Sequence, residues 1–166
     1  MSSAVYHATN TAFKALIGNC RFMQKKFYEI ETYFDIHSLA QNCGVHVYGG
    51  RRQGKTWAAI NLMYDDRWFP NGLFIGPNNN FSANVWTNCA KNLFPEKACE
   101  DRNRFLSIDS RALHGFNDAL CEGVFIDSCL FGFDATKRSE HVFECFADVA
   151  NARLKQGRSF CFVFFQ

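Results

Sequence analysis

The segment Gly49-Gly-Arg-Arg-Gln-Gly-Lys-Thr56 lies between the short apolar run Val45-His-Val-Tyr48 and a helical stretch from Thr56 to Asp66, and it constrains the fold more than any other. A chain that leaves a strand, turns on glycines and enters a helix within a few residues builds the strand, loop and helix unit of an α/β fold. Gly49 and Gly54 let the backbone bend so that successive N–H groups face one point at the positive end of the following helix, a geometry suited to phosphate. The spacing G-x-x-x-x-G-K-[ST] adds Lys55, which would reach β- and γ-phosphates, and the Thr56 hydroxyl, which would ligate Mg²⁺. Gly50, Arg52, Gln53 and Trp57 flank these residues and complete the candidate nucleotide-binding set.

The rest of the chain repeats the alternation. Gly72-Leu-Phe-Ile-Gly76 is a buried strand broken by Pro77 and three asparagines, and Phe81, Val85, Trp86, Cys89 and Leu93 give the next helical stripe. A shorter strand is expected over Arg104 to Ile108, another over Gly123 to Asp127, then a helix whose face carries Val142, Phe143, Phe146, Val149, Ala150 and Leu154. Gly157 ends that helix, and Ser159 to Phe165 is the last strand. Strands this uniformly apolar predict a mostly parallel sheet covered on both faces, a three-layer α/β/α sandwich in which Val45–Tyr48 and Val124–Ile126 are interior. Before the core, the stripe Phe13, Leu16, Ile17, Cys20, Met23, Phe27, Ile30 and Phe34 predicts one amphipathic helix over Thr11 to Phe34. Residues 1–40 are thus expected to form a helical arm packed on a core of residues 41–166. A chain that ends in a buried strand is read as truncated there, part of a longer protein.

Charge and cysteine content narrow the partners. Lys plus Arg number 18 against 16 for Asp plus Glu, so net charge does not announce a nucleic-acid partner and any basic track must be local. The 8 cysteines include no C-x-x-C pair, and several lie in apolar runs where a thiol acts as a small hydrophobe. Reduced thiols and an intracellular setting are expected. No signal-peptide pattern opens the sequence and no stretch approaches a membrane span, so neither export nor a membrane partner is expected.

A phosphate loop also needs an acid on another strand for the magnesium shell, and Asp127 at the end of Val124-Phe-Ile-Asp127 is where it belongs. With that residue placed, Arg51-Arg-Gln-Gly-Lys-Thr-Trp57 resembles the variant Walker A loop of viral DNA-packaging terminase large subunits, of both tailed-phage and herpesvirus types. Leu73-Phe-Ile-Gly-Pro-Asn78 is similar to the strand and loop that follow it, and Ile126-Asp-Ser-Cys-Leu-Phe131 to the Walker B segment. The resemblance spans about Val45 to Gln166, with only the loop specific. It implies a RecA-like P-loop ATPase core that uses ATP and Mg²⁺ to drive double-stranded DNA. Its partners would be further copies in a homo-oligomeric ring, or other packaging or portal proteins, in the host cytoplasm or nucleus if viral. It also implies that Arg51 contacts the γ-phosphate in cis. Lys55, Arg51 and Asp127 are then the catalytic candidates, Thr56 and Asp127 the metal ligands, and Gln166 a sensor at the end of the strand after Walker B.

The family's catalytic glutamate after the Walker B aspartate is replaced here by Ser128. Either another carboxylate such as Asp134 serves, or the chain binds ATP and hydrolyses it slowly, and slow hydrolysis is favoured. Two further classes stay open: a small P-loop kinase acting on a nucleoside or nucleotide, which does not need that glutamate, and a non-catalytic ATP-binding module. Gln41 is a candidate reader of the adenine edge. Arg102, Arg104, Arg111, Lys137, Arg138, Arg153, Lys155 and Arg158 are candidates for a DNA track.

Overall fold

The computed structural model describes residues 3–27, 33–127 and 135–166. Five strands form one sheet: β1 (Gly44–Val47), β2 (Leu73–Gly76), β3 (Phe105–Ser107), β4 (Gly123–Asp127) and β5 (Cys161–Phe165). Their order is β1-β5-β4-β2-β3, and every neighbouring pair is parallel. The sheet is therefore wholly parallel. β4 is interior as expected, but β1 lies at an edge and pairs only with β5, which corrects its expected interior place. Its alternation carries the physical reason: Val45 and Val47 are buried while His46 and Tyr48 face outward, the pattern of a strand with one dry face. β2, β4 and β5, by contrast, are buried along their whole lengths.

Helices α1 (Ser3–Gln24) and α3 (Lys55–Met63) cover one face of the sheet, and α2 (Ile36–Cys43) and α7 (Ala135–Lys155) contribute to the core on the other. The period of two along each strand sorts the core. Phe74, Phe105, Phe125, Val163 and Phe165 join Phe13, Ile17 and the apolar residues of α3, while Ile75, Val124, Ile126, Phe162 and Phe164 meet Leu39, Val142, Phe143 and Phe146. Phenylalanine does much of this filling. Phe125, with no exposure, meets Phe69 edge to face at 4.9 Å, and burying such a ring is worth about 3 kcal/mol.

Two helices depart from expectation. The expected helix Thr11–Phe34 begins earlier, at Ser3, and ends in a 3₁₀ turn at Lys25–Phe27. Ile30 of its stripe lies outside the described residues. Phe34 lies outside any helix and is held by Asn151, whose side chain pairs with both its N–H and its carbonyl at 2.7 and 3.0 Å, and Asp35 then caps α2 by accepting from Ser38 N–H. The expected helix from Phe81 to Leu93 is three pieces: α4 (Asn79–Val85), capped by Asn78, a π turn at Trp86–Ala90, and α5 (Lys91–Leu93). A short α6 (Pro95–Ala98) follows. Trp86 donates its indole N–H to the Ala98 carbonyl at 2.8 Å and so ties the π turn to α6. No helix among the described residues is long and apolar enough to cross a membrane.

Candidate functional site

The C-terminal ends of the parallel strands bring the glycine loop, Asp127 and Gln166 together. Val47 pairs with Phe165 and Phe165 with Asp127, so the strand that launches the loop, the last strand and the acid strand end in one row. Gln166 donates its backbone N–H to the Val47 carbonyl at 3.3 Å, which fixes it at the mouth of the loop. Together they bound a cleft of ≈ 580 Å³, within the size range of small-ligand sites. Its lining comprises Gly49, Arg51, Arg52, Gln53, Gly54, Lys55, Thr56, Trp57, Asp127, Phe165 and Gln166. Of the expected loop residues together with Asp127 and Gln166, all are in this lining except Gly50, which belongs to the same loop. Phe165 was not among the expected residues, although its place in the apolar run just before Gln166 signals that it shares the row.

Left-handed backbone shapes the loop. Gly54 has φ 75° and sits at the N-cap of α3, and Arg52 has φ 60°. A side chain held in that region costs about 1 kcal/mol or more, a strain that concentrates at ligand sites. A Cβ on Gly49 would collide with Gln53 Oε1, and one on Gly50 would lie 3.3 Å from Gln53 Nε2, so the Gln53 side chain fills the space that the two glycines leave. The N-terminus of α3 has no side-chain cap. Its first N–H groups stay available to an anion, as the loop motif requires.

Lys55 folds back on the loop. Its Nζ donates to the carbonyls of Gly49 at 3.1 Å and Gly50 at 2.6 Å. The ammonium is thereby held over the space that the glycines enclose. The Thr56 hydroxyl makes no hydrogen bond to another described residue, leaving it able to act as an oxygen ligand, while Asp127 is buried at 4% exposure. Arg51, Arg52 and Lys55 are the cations of the lining and Asp127 its single acid, a balance that favours a polyanion. A hydroxyl and one carboxylate at a cleft suit Mg²⁺, which takes few protein ligands and completes its shell from phosphate and water. No cluster of three or more metal-ligating side chains occurs among the described residues.

The loop is also tied to the arm. Thr9 on α1 donates its hydroxyl to the Gln53 carbonyl at 2.6 Å, a contact between residues too far apart in the chain for any local pattern to reveal.

Other expected residues fall elsewhere. Gln41 lies on α2, with its Nε2 3.1 Å from the His37 ring, and is not in the cleft lining, so the structure does not support its adenine role. Arg104 donates to the carbonyls of Gly72, Met63 and Phe69, and Arg153 to those of Ser159 and Ala119. Both clamp the backbone and are unsuited to a DNA track, because their guanidinium groups are engaged with backbone carbonyls. Ser128 and Asp134 lie outside the described residues. The seven described cysteines are free thiols.

No protein-family model matches the chain, and neither a curated protein nor a solved structure matches it. The resemblance to packaging ATPases therefore rests on the residues of the loop and the two strands that carry it.

Proposed function

We propose that the chain is a Mg²⁺-dependent ATP-binding P-loop domain with a RecA-like core. In this reading it serves as the ATPase of an intracellular motor that moves double-stranded DNA, as packaging terminases do. The observation that carries it is the convergence of the loop, Asp127 and Gln166 in one cleft at the C-terminal ends of parallel strands. Ligands of open α/β sheets bind at that edge. The loop N–H groups and the uncapped start of α3 would hold the β-phosphate. Lys55 would exchange the Gly49 and Gly50 carbonyls for phosphate oxygens, trading neutral acceptors for charged ones. Arg51 would balance charge at the γ-phosphate. Thr56 and Asp127 would hold Mg²⁺, which supplies charge neutralisation across the β- and γ-phosphates. Gln166, anchored to Val47, would register whether the γ-phosphate is present and pass that state to β5.

Hydrolysis adds water across the terminal phosphoanhydride, so a base must receive the proton of the attacking water. Ser128 follows Asp127 where packaging ATPases carry that base, and a hydroxyl is a poor acceptor at neutral pH. Weak turnover by the chain alone is the expected consequence. The same residue favours the kinase alternative, in which an acceptor hydroxyl takes the place of water.

The test is phosphate release from Mg·ATP with and without duplex DNA, beside phosphate transfer to a panel of nucleosides. Release that DNA stimulates supports the motor. Transfer to a nucleoside without DNA stimulation supports the kinase, and ATP binding with neither outcome leaves the weakly hydrolysing module.

A further inference from the structure

A second cleft, of ≈ 750 Å³, lies at the opposite end of the sheet. It is bounded by the C-terminal half of α1, by Arg67 and Trp68 ahead of β2, and by Gly157, Arg158 and Ser159 ahead of β5. Lys14, Arg21, Lys25, Arg67 and Arg158 line it, and no acidic residue does. Arg67 pairs with Asp65 at 3.6 Å, while Lys14, Lys25 and Arg158 form no ion pair with a described residue. The asymmetry is already written in the chain, whose first acid is Glu29 although Lys14, Arg21, Lys25 and Lys26 precede it. Charges of one sign gathered in a concavity repel one another and focus potential, so they favour an anionic occupant.

The arrangement of the cations narrows that occupant. Lys14 and Arg21 are seven positions apart, so they share one flank of α1 at an axial interval of roughly 10 Å, and Lys25 follows in the 3₁₀ turn that ends the helix. Gly18 sits between them with no side chain, and a Cβ there would come within 3.9 Å of the Trp68 ring. Arg21 is fixed in the floor. It donates to the carbonyls of Arg67 and Trp68 and lies 4.4 Å from the Phe69 ring and 5.3 Å from that of Trp68. Lys25 and Arg158, both exposed, and half-buried Lys14 are left to reach a ligand. Phe22, at 61% exposure, offers a bare ring at the rim. Cations that track a backbone beside an exposed aromatic face are the chemistry of single-strand binding, since bases of a duplex are stacked away from such a ring.

We infer that this cleft binds single-stranded nucleic acid, with Lys14, Lys25 and Arg158 on its phosphates and Phe22 under an unstacked base. The site is separate from the glycine-loop cleft and does not rest on nucleotide binding there.

The experiment uses the full chain and a fluorescein-labelled dT20 oligonucleotide, read by anisotropy at 50 and 200 mM salt. Competitors are a 20-base-pair duplex and phosphatidylserine vesicles. The parent is expected to bind the oligonucleotide more tightly than the duplex. Combined Lys14→Glu, Lys25→Glu and Arg158→Glu should weaken binding at least tenfold with an unchanged melting temperature, and should lower the salt slope by about 2, at roughly 0.7 per lost phosphate contact. Phe22→Ala should weaken it by about fivefold or more. Lys55→Ala should bind as the parent does, which separates this site from the loop. The inference is overturned by no binding at 50 mM salt, by a triple variant that binds like the parent, by a duplex that competes as well as the oligonucleotide, or by vesicles that compete better.

Discussion

Gln24 provides a stringent test of how the N-terminal helix is seated. Its amide is buried at 4% exposure and serves Phe160 twice, donating to the carbonyl at 2.7 Å and accepting from the N–H at 3.1 Å, while also donating to the Asn42 carbonyl at 3.2 Å. Phe160 precedes β5, so its backbone lacks a ladder partner and depends on Gln24. Gln24→Ala removes the partner and leaves two backbone groups of a fully buried residue unsatisfied. At about 1 to 3 kcal/mol for each such group, the loss should be about 3 kcal/mol. For a chain of 166 residues that is a fall in Tm of roughly 6 to 12 °C. Urea unfolding followed by circular dichroism, with the slope of free energy against denaturant unchanged, is the assay. A loss below about 0.5 kcal/mol would show that α1 is not held by this amide, and the attachment of the arm to β5 would need another account.

Other consequences are tested more briefly. Gly54→Ala places a Cβ at φ 75°, so it should cost about 1 kcal/mol in thermal unfolding and weaken ATP binding by distorting the loop; an unchanged affinity would mean the turn does not shape the site. Ser128→Glu should raise steady-state phosphate release, by up to the order of 10² to 10⁴ that a general base contributes, with ATP affinity little changed. Brisk turnover by the parent that is lost on changing Asp134 would place the catalytic carboxylate there instead. Burial pushes the thiols of Cys43, Cys89 and Cys121 up to about 12 from the ordinary 9.0. The fold therefore holds them protonated where the unfolded chain would ionise, and their contribution to stability is complete below pH 9 and lost as pH rises towards 12. Thermal melts from pH 8 to 11 should show Tm falling above pH 9, and Cys→Ser changes at these positions should flatten that decline.

Much of the fold was legible because burial on both sides forces a strand to be apolar throughout. Leu73–Ile75, Val124–Ile126 and the run around Phe162–Phe164 could be neither surface strands nor amphipathic helices, and they form the middle of the sheet. The one-sided burial of β1 is written in Val45-His46-Val47-Tyr48, but its edge position depends on its pairing with β5, far along the chain. Helix ends were less legible. Ser3 to Thr9 carry a weak stripe and yet continue α1, whereas Phe34 fits the stripe and is pulled out of helix by Asn151, 117 positions away. No local pattern reports a partner so distant. In the site, the loop and Asp127 could be read because fixed chemistry demands fixed spacing. The Thr9 tether and the presence of Phe165 depend on which strands end side by side, and that is decided by the sheet order.

The central claim is that the cleft at the glycine loop binds the phosphates of ATP with Mg²⁺ through Lys55. It is tested most directly by the shift in melting temperature on adding Mg·ATP to the parent and to Lys55→Ala. A ligand at about one hundred times its dissociation constant stabilises by about 2.7 kcal/mol, which for a chain of this size is roughly 5 to 10 °C. Among the described residues Lys55 hydrogen-bonds to the loop carbonyls of Gly49 and Gly50, so the variant without ATP should melt within about 2 °C of the parent, since exposed contacts of this kind contribute little. The account predicts a shift of that size for the parent, its loss in Lys55→Ala, and its weakening when Mg²⁺ is chelated. A parent that does not respond to Mg·ATP, or a variant that responds as fully as the parent, would contradict it.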